Sequence, residues 1–158
     1  VTNGQLSPGD VGGVSEGTLS FASGLTFNHA TPSTAAVLTI QGSTTANETG
    51  DHISITGILS LGSNSTFAVT NGANWSPTLD QSWTLLDWTG VLTLNGWSSG
   101  SNLSLPDLSS YGLGWDVSSL VDGSTGGALV ITVVPEPSRA MLLLAALAFA
   151  FLRRRRLC

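Results

Sequence analysis

The side chains best suited to acid–base chemistry are one adjacent pair, Asp51 and His52. A carboxylate that orients an imidazole is a common arrangement in general-base catalysis. The pair directly precedes Ile53 at the start of a predicted strand, and neighbouring residues on a strand point to opposite faces. We therefore do not expect these two side chains to form a catalytic dyad.

The sequence contains few side chains of the types that bind metals or cofactors. The chain has two histidines, His29 and His52, and a single cysteine, Cys158, which is too few for an ordinary zinc site. The acidic residues do not follow the spacing of a calcium-binding EF-hand loop. We expect a non-enzymatic protein that uses no metal and no other cofactor.

Five tryptophans are confined to one part of the chain: Trp75, Trp83, Trp88, Trp97 and Trp115. Exposed indoles could stack on sugar rings, and Trp75 and Trp97 are the candidate contacts for an extracellular polysaccharide. Buried indoles would instead cover the open end of a hydrophobic core. We favour the second arrangement and keep the first as an alternative.

Four residues near the C-terminus form a strip that contains two prolines: Pro135, Glu136, Pro137 and Ser138. Each proline fixes its own φ and biases the preceding residue towards extended geometry. A helix beginning upstream therefore cannot absorb this strip. We expect it to remain accessible to a protease.

The residues after the strip have the properties of a membrane anchor. Residues 140–152 are uncharged and consist mostly of good helix formers, which predicts a transmembrane helix. The helix would be about 20 Å long against a hydrocarbon core of roughly 30 Å, so flanking arginines must snorkel or the bilayer must thin. The cluster Arg153, Arg154, Arg155 and Arg156 predicts that this end stays in the cytoplasm.

In this order, the strip, the apolar segment and the arginine cluster resemble the PEP-CTERM signal of bacterial exported proteins. The resemblance implies recognition of residues 135–138 by an exosortase-type membrane protease at the inner membrane, followed by display on the cell surface or secretion. We therefore divide the chain into an extracytoplasmic domain, residues 1–134, and a sorting signal, residues 135–158. The start at Val1, without a leader, suggests that more chain lies upstream.

Charge separates the body from the tail. All five basic residues are arginines at 139 and 153–156, whereas all ten acidic residues lie within residues 1–138. A body without lysine or arginine cannot neutralise phosphates, which argues against nucleic-acid binding and against docking on anionic lipid. The acidic, Ser/Thr-rich composition suits a soluble exported domain.

Short segments with alternating apolar and polar residues dominate the body, and none shows a helical period. The predicted strands are 18–21, 25–27, 36–40, 52–55, 58–61, 66–69, 83–88, 91–94 and 128–133. The segment 17–40 resembles 51–69 at an offset of about thirty residues. Such a repeat favours a β-solenoid, in which stacked units share one core, with an antiparallel β-sandwich as the alternative.

The body also resembles a known group of exported proteins. The segments concerned are Leu6–Gly9, Gly17–Phe21, Asp51–Gly57, Trp83–Trp88 and Gly112–Asp116. They are similar to the C-terminal end of proteins with autotransporter-associated β-strand repeats. The resemblance implies an all-β fold, a right-handed parallel β-helix, and a structural role at the surface or in the extracellular matrix, with no catalytic residues. The alternative functions are a carbohydrate-binding module or adhesin, and the non-catalytic end of a polysaccharide-active enzyme.

Overall fold

We describe residues 5–9, 17–40, 50–72 and 75–136 in a computed structural model of the chain. These residues are mostly β-strand, as the sequence predicts. The strands are β1 (Thr18–Phe21), β2 (Leu25–Phe27), β3 (Ser33–Ile40), β4 (His52–Ile55), β5 (Leu59–Gly62), β6 (Ser65–Asn71), β7 (Ser82–Asn95), β8 (Leu103–Ser104), β9 (Leu113–Val117) and β10 (Thr125–Pro135). The helical segments within these ranges are a single turn, α1 (Ser99–Asn102), and a 3₁₀ turn (Ser109–Tyr111).

The strands form three successive units, which we define as β1–β3, β4–β6 and β7–β8. Strands at equivalent positions in neighbouring units pair in parallel. In one ladder, Leu25 pairs with Leu59, which pairs in turn with Leu92. The two copies of the sequence repeat therefore lie side by side, with matching residues in register. A third copy follows them in β7.

Antiparallel pairing between the described strands occurs where β10 joins β7 on one side and β9 on the other. The six strands of the first two units make parallel ladders only. An antiparallel sandwich, the alternative prediction, would need antiparallel pairing among those six strands.

The core lies between the inward faces of the three units. Alternate residues of each strand point inward, so stacked units bury rows of apolar side chains. Phe67 joins two of these rows, because its ring lies 4.9 Å from the Phe27 ring and 5.7 Å from the Trp97 ring. Each fully buried side chain of this size contributes about 1.5–3 kcal/mol, and none of the units could bury its inward face alone.

Glycines at one corner allow the units to approach closely. Gly24, Gly57 and Gly90 are spaced 33 residues apart. Gly24 lies between β1 and β2 and Gly57 between β4 and β5, whereas Gly90 lies within the long strand β7, which pairs with both β4 and β5. Gly24 and Gly57 have φ of 96° and 114°, values that L side chains rarely adopt. A Cβ on Gly90 would lie 2.5 Å from the carbonyl carbon of Gly57, so only glycine fits between the backbones.

Candidate functional site

The predicted sorting strip begins inside the last strand. Pro135 is the final residue of β10 and pairs with Leu113 of β9. Two residues earlier, the Val133 N–H donates to Gln81 O at 2.8 Å. Because N–H groups alternate between strand edges, the Pro135 nitrogen faces the same edge, beyond the end of the β7 pairing at Ser82. Proline is tolerated there because no ladder hydrogen bond is lost.

Glu136 is also held by the fold, since its N–H donates to Gly112 O at 3.2 Å. The strand predicted over residues 128–133 is therefore longer than expected, since β10 runs from Thr125 to Pro135. Strand pairing with β9 extends the body into the first residue of the strip. Pro137, Ser138, the apolar residues 140–152 and Arg153 to Arg156 lie outside the described residues.

The predicted transmembrane helix falls entirely in that undescribed part of the chain. In the described ranges we find no helix with the length and apolarity needed to cross a bilayer.

Asp51 and His52 make separate contacts, as the strand alternation predicts. The Asp51 carboxylate is 2% exposed and accepts two backbone hydrogen bonds, from Thr39 N at 2.8 Å and from Gly17 N at 3.0 Å. These bonds fasten the end of β3 and the approach to β1 to the start of β4. Asp51 is thus a structural acceptor at a corner between two units.

His52 meets a different carboxylate, that of Asp87. Its Nε2 lies 2.6 Å from Asp87 Oδ2, and Ser54 Oγ donates to Asp87 Oδ1 at 2.9 Å. The imidazole and the carboxylate are as close as the members of an ion pair, but their relative orientation is not that of a hydrogen bond. We therefore treat the contact as electrostatic. The serine bonds to the carboxylate and not to the imidazole, so the cluster lacks the serine–base hydrogen bond that activates a nucleophile.

This cluster was not found from the sequence, although the repeat contains a signal for it. Ser54 pairs with Asp87 across β4 and β7, 33 positions apart, which matches the spacing of the corner glycines. His52 lies two residues before Ser54 and therefore on the same outward face. Extending the repeat into a third unit would have brought these residues together.

Three tryptophans form one cluster. The Trp75 and Trp115 rings are stacked, with centroids 6.1 Å apart and an interplanar angle of 9°. Trp83 lies 6.0 Å from Trp75 and 5.9 Å from Trp115. The Trp115 N–H donates to Pro106 O at 2.7 Å. Trp75, a candidate sugar contact, is half-buried, and Trp115 covers one of its faces.

Trp97, the other candidate sugar contact, is only 4% exposed. Its N–H donates to Ser65 O at 3.0 Å, and its ring packs near Phe67. Trp97 therefore belongs to the core, and its position corrects the expectation that it could stack on a sugar. The apolar surroundings and the satisfied N–H explain why it is buried.

Two small cavities of about 220 Å³ each adjoin the loop between β9 and β10. Ser119 and Leu120 line both of them. Trp88 and Ser124 contribute to one, and Trp97 and Ser98 to the other. Neither lining contains a charged side chain.

No metal site appears in the part of the chain that the structure describes, where no three His, Cys, Asp or Glu side chains come together. The carboxyl group of Asp107 has a lowered pKa. The Ser109 N–H and hydroxyl both donate to its carboxylate, at 2.9 and 3.0 Å, and hold its pKa below the ordinary value of 3.8. These bonds stabilise the 3₁₀ turn Ser109–Tyr111 beside the end of β10, and they are lost only as the pH falls through that lowered pKa.

Comparison with known protein families, with characterised proteins and with solved structures found no match to this chain.

Proposed function

We propose that the chain is an exported bacterial surface or extracellular-matrix structural protein, sorted through a C-terminal PEP-CTERM signal. The observation that carries the proposal is the order Pro135–Ser138, apolar residues 140–152 and Arg153–Arg156, following a body without lysine or arginine. The strip would be recognised by an exosortase-type membrane protease. The apolar segment would hold the substrate in the inner membrane, and the arginines would fix its orientation.

For the body we propose a right-handed parallel β-helix of three stacked units. Support comes from the parallel ladders, which join equivalent strands at offsets of 31 to 36 residues. The close backbone approach at Gly24, Gly57 and Gly90, which are 33 residues apart, adds to it. A stack of this kind grows by addition of further units, which suits a scaffold protein.

The outward surface supports a structural role in a hydrated matrix. Hydroxyl and amide groups pair across the ladders, as in Asn95 with Ser60 at 3.1 Å and Ser82 with Thr132 at 3.1 Å. Together with the acidic charge of the body, these groups keep the faces hydrated. Polar pairs of this kind also stabilise neighbouring strands by about 0.2–1 kcal/mol each.

The sorting proposal is tested by replacing both Pro135 and Glu136 with alanine in the native host. We expect the variant to remain uncleaved in the membrane fraction, because a protease that reads the strip would lose its recognition residues. Mass spectrometry of the released and membrane-bound chains measures the outcome. The wild-type product should end at or beyond Glu136, because proteases bind extended, unpaired segments and Pro135 is paired in β10.

The matched control replaces Pro32 and Asp116 with alanine, an exposed proline and an exposed carboxylate outside the strip, and should be released normally. Normal release of the Pro135/Glu136 variant would sink the sorting proposal.

A second candidate function is the binding of a neutral saccharide, favoured by the two cavities that meet at Ser119 and Leu120. Each is smaller than the roughly 300 Å³ lower bound for pockets of drug-sized ligands, which suits small repeating sugar units, and the linings are uncharged. Titration with neutral oligosaccharides should change the tryptophan fluorescence of the wild type. The fluorescence change should be lost in Ser119→Trp, because the larger side chain would occupy space in both cavities. An unchanged wild-type spectrum would exclude this candidate.

A further inference from the structure

Two exposed apolar side chains flank the point where the chain leaves the body. Leu79 is 49% exposed and Tyr111 is 58% exposed, and both belong to the small group of large apolar side chains that the described surface leaves in solvent. A single apolar side chain at the surface is common in soluble proteins. Leu79 and Tyr111 are notable because both lie beside the point where the chain leaves the body.

Hydrogen bonds place the pair on opposite edges of the last residues of β10. Asp80, next to Leu79, donates its N–H to Val133 O at 3.0 Å. Gly112, next to Tyr111, accepts the N–H of Glu136 at 3.2 Å. We call this surface the exit end, comprising Leu79, Asp80, Tyr111, Gly112 and residues 134–136. The chain therefore leaves the body between the two exposed apolar residues.

The sequence then sets a limit on how far this surface can lie from the proposed anchor. Three residues separate Glu136, the last residue held by the body, from Ala140, the first residue of the apolar segment. Even fully extended, the chain covers roughly 14 Å between these two positions. The polar headgroup layer on each side of the hydrocarbon core is itself about 5–8 Å thick.

We propose that the exit end is a membrane-docking surface, with Leu79 and Tyr111 entering the lipid headgroup layer while the anchor holds the chain. This inference rests on the proposed sorting function, because it requires residues 140–152 to be in the bilayer. Tyrosine is enriched at membrane interfaces, where its ring is half in apolar surroundings and its hydroxyl stays wet. Docking would also hold the sorting strip at the depth of a membrane-embedded protease.

The charges around the exit end define the kind of lipid that it fits. Asp80, Asp107 and Glu136 lie on or beside it, and Arg139, the one basic residue between Glu136 and the apolar segment, leaves this region with a net negative charge. Anionic headgroups would repel these carboxylates. The partner is therefore a zwitterionic lipid surface of the phosphatidylcholine or phosphatidylethanolamine type.

The experiment uses the full chain with Cys158→Ser and one new cysteine, carrying an environment-sensitive fluorophore, at position 79, 111 or 121. Val121 is the matched control, because it is an exposed apolar residue (64%) near the opposite end of β10, roughly 33 Å away along the strand. The chain is reconstituted in phosphatidylcholine vesicles that contain a nitroxide-headgroup lipid. Resistance to alkaline extraction reports separately whether the anchor has inserted.

We expect an inserted chain whose labels at 79 and 111 are strongly quenched and shifted to the blue, while the label at 121 keeps the emission seen in buffer. Replacing a third of the phosphatidylcholine with anionic lipid should reduce the quenching. An inserted chain in which all three labels behave alike would overturn the docking surface and leave the sorting proposal intact. A chain that washes off at alkaline pH would overturn both, and blue shifts without vesicles would mean that two copies of the chain meet at this surface instead.

Discussion

Asp51→Ala should lower the free energy of unfolding by about 3 kcal/mol, because hydrogen bonds to a carboxylate contribute about 1.5–3 kcal/mol each and their loss leaves buried donors unpaired. The side chain is almost fully buried and accepts from Gly17 N and Thr39 N. Alanine would leave both N–H groups without an acceptor. Thermal unfolding of the body should show a midpoint lower by roughly 10 °C.

Two further variants separate this effect from a general loss of acidic charge. Asp116→Ala removes the same group from an exposed position on β9 and should change the unfolding free energy by less than about 0.5 kcal/mol. Asp51→Asn keeps the volume of the side chain but places an amide nitrogen where one backbone donor needs an acceptor. Its loss of unfolding free energy should therefore lie between the losses of Asp51→Ala and Asp116→Ala. Equal stability of Asp51→Ala and Asp116→Ala would contradict the role assigned to Asp51.

The strands were predictable because their physical cause is local. Segments such as Leu25–Phe27 and His52–Ile55 alternate apolar and polar residues, and one buried face is enough to produce that pattern. The strand β9 was not predicted, because its cause is not local. Leu113–Val117 contains Gly114 and lacks strong inward–outward contrast, so its extended form depends on pairing with β10, which only the tertiary structure supplies.

The candidate site was predictable only in part, because contacts between units depend on register. The alternation correctly separated Asp51 from His52, but the pairing of His52 with Asp87 requires knowing that β4 lies beside β7. The burial of Trp97 also depends on contacts between units. Its neighbours Phe67 and Ser65 come from the preceding unit, so the sequence around it could not show that the indole is buried.

The sequence contains a further indication of the third unit, which is the glycine series Gly24, Gly57 and Gly90. Gly24 and Gly57 each precede an apolar residue in the two recognised repeats, and Gly90 with Val91 continues the series at the same spacing. The physical requirement is backbone contact between units. A side chain at this corner would have to occupy space already filled by the neighbouring unit.

Gly90→Ala tests that requirement and should be strongly destabilising, because the added methyl group would overlap the backbone of the neighbouring unit. The added Cβ would lie 2.5 Å from Gly57 C, 2.6 Å from Gly57 O and 2.8 Å from Ile58 N. These are backbone atoms, which cannot rotate away as a side chain could. The hydrogen bond from Gly90 N to Gly57 O, now 2.8 Å, would be stretched as the units separate.

We expect Gly90→Ala to lose about 3 kcal/mol of unfolding free energy, at the upper end of the range for overpacked sites, measured as a lower urea midpoint with an unchanged slope. Gly114→Ala is the control, because a Cβ there meets nothing within 4 Å and the φ is not in the left-handed range. It should be neutral or stabilising by up to about 1 kcal/mol, since alanine restricts the unfolded chain. If Gly90→Ala were as stable as Gly114→Ala, the second and third units could not be in backbone contact at this corner, and the parallel stack proposed for the body would lose its main steric support.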